Sequence, residues 1–201
     1  MTLATPPIGR RERNKQQKLE RIIDAARELF TQHGVDEVTT QQIAEKADIG
    51  AGTLFLYVKT KGELLLLVQN AAYAAALDRG RKDAARKRDA MDAVLALIRP
   101  IVECNRVQVD NGRTYLSEMV FGDPTEPRHR EALDIVARTE EALATTLQRI
   151  GAIDEIRAAT AARVISAVMF VSMAASVNAD SSVDDIVEEI GRQVRILLPT
   201  S

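Results

Sequence analysis

Apolar residues recur every three or four positions along nearly the whole 201-residue chain, and strand-like alternation is almost absent. A chain with that period buries one stripe of each helix and has no sheet face to pair, so it packs helix on helix. Leu19, Ile22, Ile23, Ala26, Leu29 and Phe30 trace the first stripe, and His33-Gly34 follows where helices commonly stop. Composition agrees, with 3% aromatic and 28% charged residues in an Ala-, Leu- and Glu-rich background.

Local signals divide the chain further. In TTQQIAEKA, Thr39 precedes Gln42 by three residues, a spacing in which each satisfies the other's free backbone N–H. A short helix is expected there to about Lys46, and a second from Gly50 to Tyr57. Thr60 with Glu63 starts a long helix over about 61–82, whose end the basic cluster at 79–88 loosens. Further helices fit about 89–110, 112–121, 127–149, 155–178 and 183–198. Pro100 kinks or divides the first of these. Asp123-Pro124 and Pro127 mark a loop, and Ser182 with Asp185 caps the last helix.

Net charge is −2, so no global basic field announces a polyanionic partner. Residues 1–62 nonetheless carry 10 Lys+Arg against 8 Asp+Glu, and the remainder 17 against 21. Arg10, Arg11, Arg13, Lys15, Lys18 and Arg21 crowd the beginning, as a solvated tail does and as a phosphate-binding arm does. Cys104 is the single cysteine, expected as a small, partly buried apolar residue with no disulfide to form. No signal-like segment precedes the first helix, and the apolar run VISAVMFVSMAASVNA is shorter than a bilayer span. A cytoplasmic protein with no membrane partner is expected. His33 and His129 read as surface or helix-end histidines, and Glu140 as an exposed or paired carboxylate rather than a general base. Neither a catalytic constellation, a metal cluster nor a cofactor motif is expected.

The stretch DIGAGTLFLYVKTKGELL, Asp48 to Leu65, narrows the function. A dinucleotide loop needs a preceding strand and a third glycine, but Phe55 stands in that slot; a P-loop needs GK[ST], which is absent. Two short helices joined by a tight turn fit better, as a unit whose second helix enters the major groove of DNA. Ala44 is small where the helices cross. Asp48 occupies the turn, where a positive φ is usual and Asp is tolerated. Ile43, Ile49 and Leu54 anchor the pair, Gly50 begins the second helix, and Gly52 removes bulk where base edges come near.

Residues 19–66 resemble the DNA-binding domain of the TetR family of transcriptional regulators. The resemblance rests on AARELF, the Gly34 turn, TTxxIAxxA, GTLFxYV and the following KxxLL, in order and at matching spacing. It implies an all-α fold of about nine helices: a three-helix helix-turn-helix domain, then a larger helical domain for ligand binding and dimerisation. The boundaries expected are a disordered basic arm over 1–15, the DNA-binding domain over 16–62, and the effector and dimerisation domain over 63–201. The sequence departs from the family pattern at Asp48, Phe55 and Val58, where glycine, tyrosine and phenylalanine are frequent; Phe55 lacks a hydroxyl for phosphate.

The implied partners are double-stranded operator DNA, a second copy of the chain, and a small-molecule effector of unknown identity. Thr40, Tyr57 and Lys61 are the expected phosphate contacts, while Gln41, Ala51, Gly52 and Thr53 are expected at base edges; Gln42 reaches a base or is taken up by the cap with Thr39, and Leu56 touches DNA or is simply exposed. The pocket expected among the middle helices draws on Leu67, Leu95, Ile98, Val102, Asn105, Tyr115, Glu118, Met119, Phe121, Val136, Met169 and Met173. For dimerisation, the apolar helix near the end offers Val164, Val168, Val171 and Ala175, and the final stripe offers Ile186, Ile190, Val194 and Leu197. The function expected is a homodimeric repressor that releases a palindromic operator when a small, largely apolar ligand binds. The alternatives are a regulator controlled by a protein partner and a helical enzyme.

Overall fold

The structure, a computed structural model, describes residues 9–151 and 153–197. Nine α-helices account for most of the described residues: α1 (Arg10–His33), α2 (Thr40–Lys46), α3 (Ala51–Leu54), α4 (Lys61–Ala85), α5 (Ala90–Arg106), α6 (Val109–Phe121), α7 (Pro127–Gly151), α8 (Glu155–Ala174) and α9 (Val183–Val194). Single 3-10 turns at Ser176–Asn178 and Arg195–Leu197 follow α8 and α9. The protein is all-helical among the described residues, with a small N-terminal three-helix head and a larger helical body.

The caps read from sequence form as hydrogen-bonded devices. Gln42 Oε1 accepts the Thr39 N–H at 2.8 Å while Thr39 Oγ1 accepts the Gln42 N–H at 3.2 Å. Thr60 Oγ1 accepts the Glu63 N–H, and Ser182 and Asp185 close a reciprocal pair. Gly34 ends α1 at φ +81, where a Cβ would be strained, and its N–H returns to the Phe30 carbonyl.

Four segments differ from the sequence expectation. Residues 10–15, assigned to a disordered arm, are the first turns of α1; Arg, Glu and Lys are good helix formers, and the Arg13 N–H reaches back to the Gly9 carbonyl. Pro6 and Pro7 lie outside the described residues. The basic cluster does not loosen α4, which continues to Ala85, because Gly80 lies against the backbone of Leu97 and lets α4 and α5 pack closely. Pro100 stays inside one continuous α5, and the break comes at Val107-Gln108, where the Gln108 side chain caps α6. Most of the apolar run taken as too short for a bilayer lies in the 20-residue α8, which ends at Ala174 rather than 178 and by length and composition is long and apolar enough to cross one. In the fold its Ala158, Ala162, Ile165 and Met169 are buried, and it packs on α7 and α9.

The body is organised on α4, which packs along α5 and α7 and also touches α1 and α6. Leu64, Leu65, Leu77, Leu97, Ile98, Leu143 and Leu147 are fully buried at its centre. Buried side chains of this size each contribute roughly 1.5–3 kcal/mol relative to exposure.

Candidate functional site

The head is built on the α1 stripe. Ile22, Ala26 and Phe30 are sealed beneath Ile43, Ala44 and Leu54, all at most 1% exposed. Val58 is buried as well, and Ile49 half-buried. The α2–α3 turn is held by the Ile49 N–H to the Ala44 carbonyl at 3.0 Å, with Asp48 at φ +53 and its carboxylate 3.4 Å from Arg21. A core this tight fixes α3 relative to α2.

What α3 presents outward is small. Gly50 caps it, and its regular turns end at Leu54, short of the expected Tyr57. Gly52 is exposed and Ala51 and Thr53 are half-exposed, while Leu56 and Phe55 stand out at 81% and 51% exposure. Thr40 is half-buried in the first turn of α2, and Gln41 and Gln42 are exposed beside it. Each glutamine is partly engaged: Gln41 Nε2 donates to Glu45 at 2.8 Å, and Gln42 spends its Oε1 in the Thr39 cap. Tyr57 is half-buried against the core. Lys61 donates to the carbonyls of Asp36 and Val38, both at 3.2 Å, so its ammonium ties α4 to the α1–α2 loop as well as facing outward. That intramolecular role was not anticipated from sequence.

Two side-chain devices join head to body. Asn111 at the start of α6 donates to the Phe30 carbonyl at 2.7 Å and accepts the Val35 N–H at 2.6 Å, fully buried. Lys59, before α4, pairs with Glu126, before α7. This pairing raises the Lys59 pKa above its ordinary value, chiefly through the hydrogen bond to Glu126.

The body contains a cavity of about 410 Å³ between α6, α7 and α8, with Tyr73 and Ile101 contributed by α4 and α5. Of the expected pocket residues, Tyr115, Met119, Val136, Met169 and Met173 line it. The others do not. Leu67 and Leu95 are half-buried packing residues, Ile98 and Val102 are core, and Asn105 is buried with its Nδ2 donating to Tyr73 Oη at 2.8 Å. Glu118 lies on a separate cleft, and Phe121 is 82% exposed. Sequence reasoning missed most of the α7 wall: His129, Ala132, Leu133, Ile135, Thr139 and Glu140 share one helix face at three- and four-residue spacing. His129 is not a surface histidine; it is 4% exposed, and neither ring nitrogen meets a partner among the described residues. Glu140 is paired, 4.0 Å from Arg163 at the rim. Tyr73 and Tyr115 stack at 4.3 Å between ring centroids, and burial pushes both phenols well above their usual pKa.

The expected dimerisation set divides in two. Val164 and Val171 on α8 are exposed, with Val168 and Ala175 half-buried beside them. Ile186, Ile190 and Val194 are completely buried within the chain, because α9 turns its apolar stripe onto α5 and α8 and leaves Asp184, Glu188 and Arg192 outward. These three are therefore core residues. The side chain of Leu197 lies outside the described residues.

Residues 22–68 match the family model for bacterial regulatory proteins of the tetR family. The chain is 28% identical over 86 residues to the fatty acid metabolism regulator protein of Bacillus subtilis, covering 43% of this chain and 44% of that protein. Over 46 residues it is 46% identical to the class D tetracycline repressor protein of Escherichia coli, 23% of this chain and 21% of that one. The aligned stretches thus span less than half of these curated relatives. Among solved structures, Thermus thermophilus FadR, a TetR-family transcriptional repressor in complex with lauroyl-CoA, superposes with a TM-score of 0.68 at 24% identity, covering 89% of this chain and 92% of that one. FadR of Bacillus subtilis in complex with stearoyl-CoA gives 0.61 at 17%, covering 90% and 97%. With the trihelical head, its turn and its body of six further helices in view, residues 22–68 form a DNA-binding head of the tetR family of bacterial regulatory proteins, on a chain whose whole fold matches that of TetR-family transcriptional regulators.

Proposed function

We propose that the protein is a homodimeric repressor whose head (residues 16–62) binds a palindromic operator and whose body (63–201) releases it on taking up a small, largely apolar ligand. The observation that carries this reading is Gly52. A Cβ added there meets nothing within 4 Å, so no intramolecular packing requires a glycine in a helix where it costs ~1 kcal/mol. A duplex approaching the first turn of α3 supplies the reason.

In the complex, Thr40 offers phosphate the N-terminus of α2, and Tyr57 and Lys61 grip the adjoining backbone. Gln41, Gln42, Ala51, Thr53 and Leu56 face the bases. Polar readers are few, so duplex shape and bound water carry part of the specificity. Val164, Val168, Val171 and Ala175 on and just after α8 meet a two-fold mate, extended by the exposed Ile156 and Val177. The apolar cavity takes an alkyl chain, a reading supported by the lauroyl and stearoyl thioesters bound to the two FadR proteins. The activity is binding rather than turnover, and it operates in the cytoplasm.

The test is footprinting of the purified chain on DNA upstream of its own gene, repeated with dodecanoyl-CoA. A two-fold symmetric protected region that vanishes with the thioester is expected. Absence of a complex with any duplex at low ionic strength overturns the DNA-binding reading; an unchanged footprint with a ligand shown separately to bind overturns the switch.

A further inference from the structure

Four polar side chains in the cavity lining are already engaged. Tyr115 Oη donates to Asn70 Oδ1 at 2.9 Å, Tyr73 Oη accepts from Asn105, Thr139 Oγ1 donates to the Ile135 carbonyl at 2.8 Å, and Glu140 faces Arg163. His129 is not. It is as buried as the core, borders the cavity, and has both ring nitrogens bare. A neutral imidazole presents one N–H donor and one acceptor nitrogen, and a buried pair of this kind is costly to leave unmatched. Native interiors rarely leave such atoms without a partner, be it protein, ordered water or a bound molecule, and here the open space beside the ring is the cavity.

Two features decide the charge of that partner. The cavity lining is predominantly apolar, Ala132, Met119 and Met173 included, and a charge buried in it would lose its hydration with little in return. His129 also borders a second cleft of about 230 Å³, lined by Glu63, Glu118, Asp123 and Glu126 together with Lys59. Lys59 is itself held by Glu126. The field of these carboxylates repels an anion at the imidazole. Asp123 and Glu126 already have partners in Thr125 and Lys59, so they offer little to an incoming cation.

The length of the site separates this end from the charged one. His129 and Glu140 lie on the same helix eleven residues apart, which is about 16 Å at the rise of an α-helix. The Arg163 guanidinium, on a side chain 80% exposed, stands beside Glu140. An extended ligand lying along α7 therefore meets the imidazole in the interior and an ionic group at the rim.

We infer that His129 is the specificity-determining residue of the cavity, hydrogen-bonding an uncharged hydroxyl or carbonyl at the buried end of an otherwise apolar ligand. This rests on the reading of the cavity as the effector site and adds the polar group that the effector carries there. An anionic group, such as a carboxylate or the phosphates of a coenzyme A thioester, belongs at the Arg163 rim and not at the imidazole.

The test uses the full chain and three probes of one chain length: 1-decanol, decane and sodium decanoate, each by calorimetric titration and thermal shift. Decanol is expected to bind the wild-type protein up to about tenfold more tightly than decane, the worth of one neutral hydrogen bond. His129→Leu is expected to erase that preference while still binding decane, and His129→Gln, which keeps a donor and an acceptor, to restore part of it. In the wild-type protein the imidazole nitrogen resonances are expected to shift on adding decanol and to stay fixed on adding decane, a readout that does not depend on either variant folding. Equal affinities of decanol and decane for wild type, or unmoved imidazole resonances, overturn the His129 assignment and leave the effector cavity standing. A preference for decanoate that His129→Leu abolishes also overturns it. Failure of all three probes to bind overturns the cavity reading and this inference with it.

Discussion

The side chain of Asn111 accepts the backbone N–H of Val35 at 2.6 Å across 76 residues of sequence, and its own amide donates to the Phe30 carbonyl. The two bonds complete the turn after α1 from the far side of the head–body boundary. Asn111→Ala leaves the Val35 N–H buried without an acceptor, whereas the Phe30 carbonyl keeps the Gly34 N–H at 3.0 Å. One stranded buried donor costs about 1–3 kcal/mol, so a lower urea midpoint with an unchanged slope is expected. Asn111→Asp retains the acceptor but turns a carboxylate toward the Phe30 carbonyl; it is expected to be at least as unstable as the alanine variant. A wild-type midpoint for both would remove this bridge from the stability of the fold.

Gly52 and Gly80 separate packing from function within one residue type. A Cβ at Gly80 runs into the Leu97 backbone, which cannot give way as a flexible side chain would, so Gly80→Ala is expected to spread α4 from α5 and cost roughly 1–3 kcal/mol. A Cβ at Gly52 meets open space, and Gly52→Ala is expected to hold or raise the melting temperature, since alanine is the better helix former. Its operator affinity is nevertheless expected to fall. Thermal unfolding beside a gel-shift titration reads both effects; a Gly52→Ala protein that binds DNA like wild type removes the steric argument.

The head was legible in the sequence because its constraints are local. A cap such as Thr39 with Gln42, a positive-φ turn at Asp48 and a stop at Gly34 are each written within a few residues. The ligand cavity was less legible because it forms between helices distant in the chain. The stripes identify which faces of α6, α7 and α8 are apolar, but not how far apart the helices stand, so Ile98 and Val102 read the same as Met119 and Met169. The same limit explains α9. Ile186, Ile190 and Val194 form a stripe equally suited to a partner subunit and to α5, and only the packing shows that α5 takes it. His129 had no sequence signal, because an isolated histidine early in a helix is ordinarily exposed; what distinguishes it is its burial by residues from other helices.

Lys61 has two roles to separate. Its ammonium has three donors, and the carbonyls of Asp36 and Val38 occupy two. Lys61→Ala is expected to weaken binding to operator and to unrelated duplex alike, and to reduce the slope of log affinity against log salt by about one. Loss of the loop contacts alone lowers stability without changing the salt slope. Measuring affinity over a salt series, with thermal unfolding alongside, distinguishes the two; an unchanged slope ends the phosphate assignment.

The alkaline limb of stability tests the stacked tyrosines and Cys104 together. Burial raises the Tyr73 and Tyr115 phenols well above 10.0 and the Cys104 thiol from 9.0 to about 11. All three are acids that the fold holds in their neutral, proton-bound form, so the unfolded chain releases these protons at lower pH than the folded one. Their contribution is therefore complete below the unfolded pKa values and declines as pH rises through the folded ones. Unfolding free energy is expected to fall from about pH 9, with phenolate absorbance from Tyr73 and Tyr115 appearing together with loss of helix rather than before it. Tyr115→Phe removes one of these groups along with its hydrogen bond to Asn70 at 2.9 Å. Its stability at neutral pH is expected to drop by about 1 kcal/mol while its alkaline decline becomes shallower. Phenolate signals that rise in the intact fold, or a decline equally steep in Tyr115→Phe, would show that the stacked pair does not hold its protons through burial.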